Sequence, residues 1–135
     1  MAARVVVDAG LVVALLSRRD RHHRWATAQA VSLPPPWSSC EAVVSEAFYL
    51  IGNAGQGALA ELLRRCAISL DFSLADELEP VLKLMQKYAS VPMSLADGCI
   101  VRMTETFADP IVLTTDGDFR IYRRHSRQVV PSILP

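Results

Sequence analysis

The chain has 135 residues, of which 51% are hydrophobic and 21% are charged, a balance typical of a folded domain and unlike a disordered chain. Its 14 basic and 14 acidic residues cancel, so net charge alone points to no class of partner. No apolar run reaches the ~20 residues that span a bilayer, and three scattered cysteines indicate no disulfide framework. We therefore expect a single cytoplasmic domain over residues 1–135, with no membrane segment.

The first predicted element is a short buried strand that ends in an acid. The run RVVVD at residues 4–8 combines three β-branched residues with Asp8 at its end. Such apolar runs are typical of strands that are covered on both faces of a parallel sheet. We expect a short helix over residues 11–17 and a second helix over residues 20–32, before the proline-rich break at residues 33–37.

The segment SSCEAVVSEAFYLIG predicts a helix after this break. Ser38 and Glu41 stand three residues apart, as in a capping box that begins a helix. Gly52 and Gly55 predict its end, and QGALAELLRRC at residues 56–66 predicts a separate helix. In the first of these two helices, apolar residues at positions i, i+4 and i+7 predict a buried stripe: Val43, Ala47 and Leu50.

The tetrapeptide SLAD occurs twice in the second half, at residues 73–76 and 94–97. A serine followed three residues later by an acid resembles a capping box, and the helix dipole favours an acid in the first turn. Both copies are therefore predicted to begin helices. The first copy follows a predicted strand within residues 66–72, and Pro80 must lie in the first turns of its helix or bend it. The tail at residues 127–135 predicts an edge strand.

Strands that alternate with helices predict a layered α/β fold around a parallel sheet. Ligands of such sheets bind beyond the carboxyl ends of the strands. Asp8 ends the first strand, and Asp116 follows a predicted strand at residues 111–114. The second SLAD helix runs into that strand by a short connection, so an antiparallel return places Asp97 near both acids. Asp76 also follows a strand, so this argument leaves its position open.

Five acids are candidates for one pocket: Asp8, Glu46, Asp97, Asp116 and Asp118. Carboxylates a few ångströms apart resist joint ionisation unless a cation lies between them. Mg²⁺ or Mn²⁺ prefers oxygen ligands, keeps several waters and activates one of them for attack on a phosphodiester. Considered one at a time, Asp97 needs no role beyond capping a helix, and Asp116 and Asp118 need none beyond forming a turn. Their joint placement favours a metal site.

Together these segments resemble the four acidic motifs of the PIN domain family. The motifs are VVVD with Asp8, SEAFYL with Glu46, SLADGCIV with Asp97 and LTTDGDF with Asp116. The similarity covers essentially the whole chain and is greatest to the bacterial VapC-like group. It implies a three-layer α/β/α sandwich with a central, mainly parallel sheet, and metal-dependent cleavage of RNA. For many members it also implies a small antitoxin partner, and we expect a homodimer.

The resemblance also assigns roles to individual residues. It places four acids at catalytic positions: Asp8, Glu46, Asp97 and Asp116. Three of them, Asp8, Asp97 and Asp116, are expected to bind Mg²⁺ or Mn²⁺. Thr114 matches the hydroxyl residue two positions before the last acid, and Asp118 is a supporting acid.

Basic residues cluster at residues 18–24 and 120–127. An acidic pocket repels a polyanion, so an RNA substrate must be held by groups beside it, and arginines hold phosphates well. Contact with an acidic stretch of an antitoxin, or simple exposure to solvent, are the alternatives. The arginines predicted to bind RNA are Arg18, Arg19, Arg21, Arg24, Arg123 and Arg124.

Two rival functions remain open at this point. One is a non-catalytic PIN-like module that binds RNA or protein, favoured only by Ala9, which stands where the family often has Thr or Ser. The other is a different Mg²⁺-dependent phosphoryl-transfer enzyme. A phosphatase of the haloacid dehalogenase type would need an acid where Gly10 stands. A receiver domain would need a lysine after its last strand, whereas Lys83 and Lys87 lie in a predicted helix.

Overall fold

The computed structural model describes residues 3–135. Its helices are α1 (Ala9–Leu16), α2 (His23–Ser32), α3 (Glu41–Arg64), α4 (Leu78–Lys87) and α5 (Leu95–Thr106), with a single 3₁₀ turn at Gly117–Arg120. Its strands are β1 (Arg4–Val7), β2 (Trp37–Ser39), β3 (Ile68–Leu70), β4 (Pro110–Leu113), β5 (Arg123–Arg124), β6 (Gln128–Val129) and β7 (Ser132–Ile133). None of the helices within residues 3–135 combines the length and apolarity needed to cross a membrane.

Five strands form a parallel sheet in the order β3-β2-β1-β4-β7. Val6 of β1 pairs with Ser38 on one side and with Val112 on the other, so β1 lies at the centre. Val6 and Val7 are fully buried, as expected for a strand covered on both faces. Helices flank this sheet, which confirms the predicted α/β fold class. The short strands β5 and β6 form a separate antiparallel pair.

The strand ends position the candidate site. β1 and β4 are parallel neighbours, so Asp8 and the segment after Leu113 leave the sheet at the same edge. The second SLAD copy begins α5 as predicted, because the Ser94 hydroxyl accepts a hydrogen bond from the Asp97 backbone N–H at 3.0 Å. α5 packs against β1 and β4, which brings its first turn to that edge.

The capping box predicted at Ser38 and Glu41 is wrong. Ser38 lies in β2, a strand that the sequence patterns do not reveal, and its hydroxyl donates to Asp71 at 3.0 Å. Cys40 is the N-cap residue of α3 and makes no side-chain capping hydrogen bond. Pairing with β1 and β3 on either side holds residues Trp37–Ser39 extended, so tertiary contacts override the local capping signal.

The predicted end of this helix at Gly52 is confirmed, whereas Gly55 lies inside the helical segment that follows. Gly52 adopts a non-helical φ of 70° and ψ of −174°, so α3 consists of two helical segments joined at a kink. The second segment runs to Arg64 and contains most of the predicted separate helix. Within the predicted buried stripe, Val43 and Ala47 are buried, but Leu50 is 52% exposed. The prediction that Leu50 is buried is wrong, because Leu50 lies just before the bend and lines the open pocket described below.

The first SLAD copy does not begin a helix. The Ser73 hydroxyl accepts a hydrogen bond from the Asp76 N–H at 3.3 Å, but the segment forms only a turn, and α4 begins at Leu78. Pro80 explains the delay, because proline is tolerated in a first turn but breaks hydrogen bonding in a helix interior. A helix that started at the tetrapeptide would have placed Pro80 in its interior.

Candidate active site

A pocket of about 150 Å³ opens at the carboxyl edge of the sheet. Four acids line it: Asp8, Glu46, Asp97 and Asp116. Apolar side chains, among them Ile100 and Leu50, form the rest of its wall. Among the described residues, Asp76 and Asp118 lie outside this wall. The structure therefore brings together acids from four distant parts of the sequence and separates the two SLAD aspartates.

Asp8 is the deepest of these acids, with 6% of its surface exposed. Its Oδ1 atom accepts a hydrogen bond from the Leu11 backbone N–H at 2.9 Å, which caps α1, and its Oδ2 atom accepts one from the Thr114 hydroxyl. Burial raises the pKa of Asp8 to about 6, against the lowering effect of these two hydrogen bonds. The charges of Asp116 and Asp97 raise this pKa further.

Thr114 connects Asp8 to the turn that carries Asp116. Its hydroxyl is fully buried, donates to Asp8 and accepts a hydrogen bond from the Asp116 N–H at 2.9 Å. The Asp116 Oδ1 atom in turn accepts from the Asp118 N–H at 2.9 Å and caps the 3₁₀ turn. Thr114 thus has a supporting geometry, while Asp118 contributes its backbone to the turn that holds Asp116.

Asp97 is half-buried in the first turn of α5, and the Tyr122 hydroxyl donates to its Oδ2 atom at 3.0 Å. Burial raises the pKa of Asp97, the Tyr122 hydrogen bond lowers it, and the charges of Asp116 and Glu46 raise it again. Burial and the neighbouring Asp97 charge also raise the pKa of Tyr122, so its hydroxyl stays a proton donor. The Tyr122 ring is fully buried against Phe119, at a centroid distance of 5.3 Å.

Glu46 is exposed on α3 and lines the pocket without a hydrogen-bond partner among the described side chains. Ala9 and Thr115 complete the floor beside Asp8. Gly10 packs so closely on Thr115 that a Cβ atom at this position would clash with the threonine hydroxyl. Thr115 therefore supplies a hydroxyl in the pocket, although Ala9 removes the one that the family often has.

Sequence reasoning missed Thr115, which lines the pocket, and Tyr122, which donates to Asp97. Thr115 was within the LTTDGDF motif, so its position next to Asp116 was a usable signal. Tyr122 had no such signal, because its contact with Asp97 depends on how the chain returns after the 3₁₀ turn.

The donor atoms of the pocket suit a hard divalent cation, since carboxylate and hydroxyl oxygens are the polar side-chain groups that line it. Within residues 3–135, no group of three or more His, Cys, Asp or Glu side chains is placed so that the group could hold a metal ion. Mg²⁺ needs fewer protein ligands than that, because it usually binds one or two carboxylates and keeps several waters. The charges of Asp97 and Asp116 raise the pKa of Asp8, and all three acids line one pocket, so a bound cation would relieve their mutual repulsion.

The two arginine clusters lie in different settings. Arg18 and Arg19 are exposed and line a shallow surface pocket with Ile51 and Ala54 of α3. Arg21 and Arg24 are exposed as well. These four side chains remain accessible to a substrate.

Arg123 and Arg124, the predicted RNA-binding residues of the second cluster, make hydrogen bonds within the fold. The Arg123 guanidinium donates to the backbone carbonyls of Arg120, Ile121 and Tyr122 at 2.7–3.1 Å. The Arg124 guanidinium donates to carbonyls at the end of α5 opposite Asp97, including that of Phe107 at 3.2 Å. The predicted RNA contact of Arg124 does not fit this position, because its charge stabilises the C-terminus of a helix.

Comparison with known proteins gives one result. A family model described as PIN domain matches residues 5–124, a segment that runs from β1 to β5 and contains all four acids of the pocket. A search of curated proteins returns no match. The family match covers most of the chain, and the fold and the acidic pocket agree with it, so the chain belongs to the PIN domain family.

Proposed function

We propose that this protein is a Mg²⁺- or Mn²⁺-dependent endoribonuclease and the toxin of a VapC-like toxin–antitoxin pair. PIN domains are generally nucleases and typically use divalent metal ions. The observation that carries the proposal is the convergence of four acids on one pocket, with Asp8 buried and its pKa raised to about 6. Perturbed, clustered carboxylates in a cleft are typical of catalytic centres rather than of plain surfaces.

In this proposal Asp8, Asp97 and Asp116 hold the cation, one or two of them directly and the rest through its bound waters. A bound Mg²⁺ or Mn²⁺ would polarise the scissile phosphate and activate a water molecule. The Leu11 N–H and the Thr114 hydroxyl fix the Asp8 carboxylate, and the Tyr122 hydroxyl fixes that of Asp97.

Glu46 has a different environment from the other three acids. It is exposed and free of hydrogen bonds to described side chains, so we assign it the task of orienting the attacking water or accepting its proton.

The charges around the pocket indicate how an RNA substrate is held, and the motif similarity indicates the partners. The acidic pocket repels RNA, so the exposed arginines near the end of α1 are proposed to hold its phosphates: Arg18, Arg19, Arg21 and Arg24. A small antitoxin that covers the pocket, and a homodimer in the cytoplasm, complete the proposal and rest on the similarity of the four motifs to the VapC-like group.

The test replaces Asp8 with asparagine, which removes one negative charge and keeps the size of the side chain. After removal of metal and reconstitution with Mg²⁺ or Mn²⁺, we expect the wild type to cleave single-stranded RNA and Asp8→Asn to show only the activity of the metal-free protein. Asp76→Asn is the control for the loss of one carboxylate, because Asp76 is exposed and lies outside the pocket. Wild-type cleavage by Asp8→Asn would rule out this mechanism.

A further inference from the structure

Two buried thiols outside the acidic pocket share a second cavity. Cys40 is the N-cap residue of α3 and Cys99 lies in α5, and their exposed fractions are 2% and 0%. Both line a cavity of about 350 Å³. Glu41, Ser73 and Ala75, which are exposed, also line it, so the cavity opens at the surface although the two thiols themselves are buried.

The two thiols are neighbours that differ in position. Each side chain is the hydrogen-bond partner of the other, and this contact acts on the pKa of both thiols. Cys40 stands at the N-terminus of α3, where a thiolate is favoured, whereas Cys99 lies inside α5 with no exposed surface. Cys40 is therefore the thiol placed to react first.

We propose that Cys40 and Cys99 form a dithiol that a peroxide oxidises to an internal disulfide, joining the start of α3 to α5. The inference does not depend on the nuclease proposal, because it rests on two neighbouring thiols that line one cavity open at the surface. A buried cysteine is usually inert when it has no partner and no cavity beside it, and here Cys40 has both.

The chemistry proceeds in two steps with hydrogen peroxide as the oxidant. The Cys40 thiolate attacks one peroxide oxygen, the O–O bond breaks, and the departing hydroxide takes up a proton to form water, leaving a sulfenic acid on Cys40. The Cys99 sulfur then attacks the Cys40 sulfur, the S–O bond breaks, the S–S bond forms and a second water leaves. Overall the two thiols lose two hydrogen atoms, and one peroxide becomes two waters.

The consequence is a covalent link between the helices that carry Glu46 and Asp97. α3 and α5 already pack against each other, and each contributes one of these acids to the pocket. A disulfide would hold the two helices together, and it would restrict the unfolded chain by closing a long loop. The oxidised protein is therefore expected to melt at a higher temperature than the reduced protein.

The experiment uses the full chain with Cys66→Ser, because Cys66 is exposed and would otherwise join two copies of the protein. The folded protein is treated with graded hydrogen peroxide, remaining thiols are alkylated, and intact mass, peptide mapping without reductant and Tm are measured. We expect loss of two hydrogen atoms, a crosslinked peptide pair containing Cys40 and Cys99, a higher Tm, and reversal of all three by a dithiol reductant.

Two variants keep the test decisive. Cys99→Ala should stop crosslinking and let Cys40 gain oxygen atoms instead, and Cys40→Ser should stop crosslinking while keeping a side chain suited to an N-cap. If one variant fails to fold, the other still serves. Two alkylatable thiols after peroxide treatment, oxygen addition without a crosslink, or a crosslink formed only in denaturant would overturn the proposal.

Discussion

At the scale of single residues, Asp8 acts against the stability of the metal-free protein. Its pKa in the fold is about 6, whereas the unperturbed value is 3.8. Below pH 3.8 the carboxyl is protonated in both states, so it costs nothing. As the pH rises from 3.8 to about 6, the unfolded chain ionises first, and stability falls until both states are charged. The total effect of about two pKa units is on the order of 3 kcal/mol.

This predicts that Asp8→Asn raises the Tm of metal-free protein at pH 7.5, because it removes the buried charge while its amide oxygen still accepts from the Leu11 N–H. The gain should shrink as the pH falls through 6 and vanish near pH 4. Thermal unfolding in a chelator across this pH range measures it, with Asp76→Asn as the exposed control. A loss of stability at pH 7.5 would show that the hydrogen bonds of Asp8 outweigh its burial.

Tyr122 is the second residue whose removal has a defined outcome. Tyr122→Phe keeps the buried ring but deletes the hydroxyl that donates to Asp97, so the pKa of Asp97 should rise further. We expect RNA cleavage to fall about 10- to 100-fold, as for other groups that orient metal ligands. The acidic limb of its pH profile should also move to higher pH. Tyr49→Phe, at a tyrosine that is 84% exposed, is the control, and equal profiles for both variants would contradict this role.

The sequence could predict the acids of the site but not the groups that orient them. Asp8 and Asp116 follow strands, and Asp97 follows a capping serine, so strand order and local capping are enough to bring them together. Tyr122 reaches Asp97 only through a tertiary packing arrangement with Phe119 and Tyr88, which no local pattern encodes.

At the scale of helices and strands, local signals failed where a longer-range constraint opposed them. The first SLAD copy has the same letters as the second, yet Pro80 prevents a helix from starting there. The strand β2 has three residues and a helix-capping signal, yet pairing on both sides keeps it extended. Strand β1, by contrast, was predictable because its own apolar run already requires burial on both faces.

The bend at Gly52 gives a prediction for the free energy of unfolding. Its φ of 70° is costly for any residue with a Cβ atom, so Gly52→Ala should destabilise the protein by roughly 1–2 kcal/mol. Gly57 lies in the same helix without a positive φ and with open space around it, so Gly57→Ala should be neutral or stabilising by up to about 1 kcal/mol. Urea unfolding compares the two, and a Gly52→Ala protein as stable as Gly57→Ala would mean that the bend is not strained.

At the scale of the whole molecule, the parallel sheet makes the position of the site predictable before any detail is known. All five strands of the sheet run the same way, so residues far apart in the sequence emerge at one edge. The common direction of the strands does not determine where a residue further along the chain, beyond the end of a strand, comes to lie. Arg124, close in sequence to Asp116, therefore ends at the opposite end of α5.

This contrast predicts different behaviour for the two arginine clusters. With Ca²⁺ in place of Mg²⁺ to slow cleavage, Arg18→Ala/Arg19→Ala should weaken RNA binding and reduce the slope of log affinity against log salt by about 0.7 per lost phosphate contact. Arg124→Ala should leave the slope unchanged and lower the Tm, because its guanidinium binds the carbonyls at the end of α5.

The outcome that would reverse this assignment is equally specific. A changed slope for Arg124→Ala at unchanged Tm, with no effect of the N-terminal pair, would return the RNA path to the C-terminal cluster. An unchanged slope for both would leave antitoxin contact or solvation as the role of these arginines.

The break in α3 also lies between two pockets. Glu46 and Leu50 of the acidic pocket precede Gly52, whereas Ala54, which lines the pocket of Arg18 and Arg19 together with Ile51, follows it. Because Gly52 leaves the helical conformation, the direction of the second segment is not dictated by the first. A change in the second segment can therefore alter the surface beside Arg18 and Arg19 while the segment that carries Glu46 keeps its place.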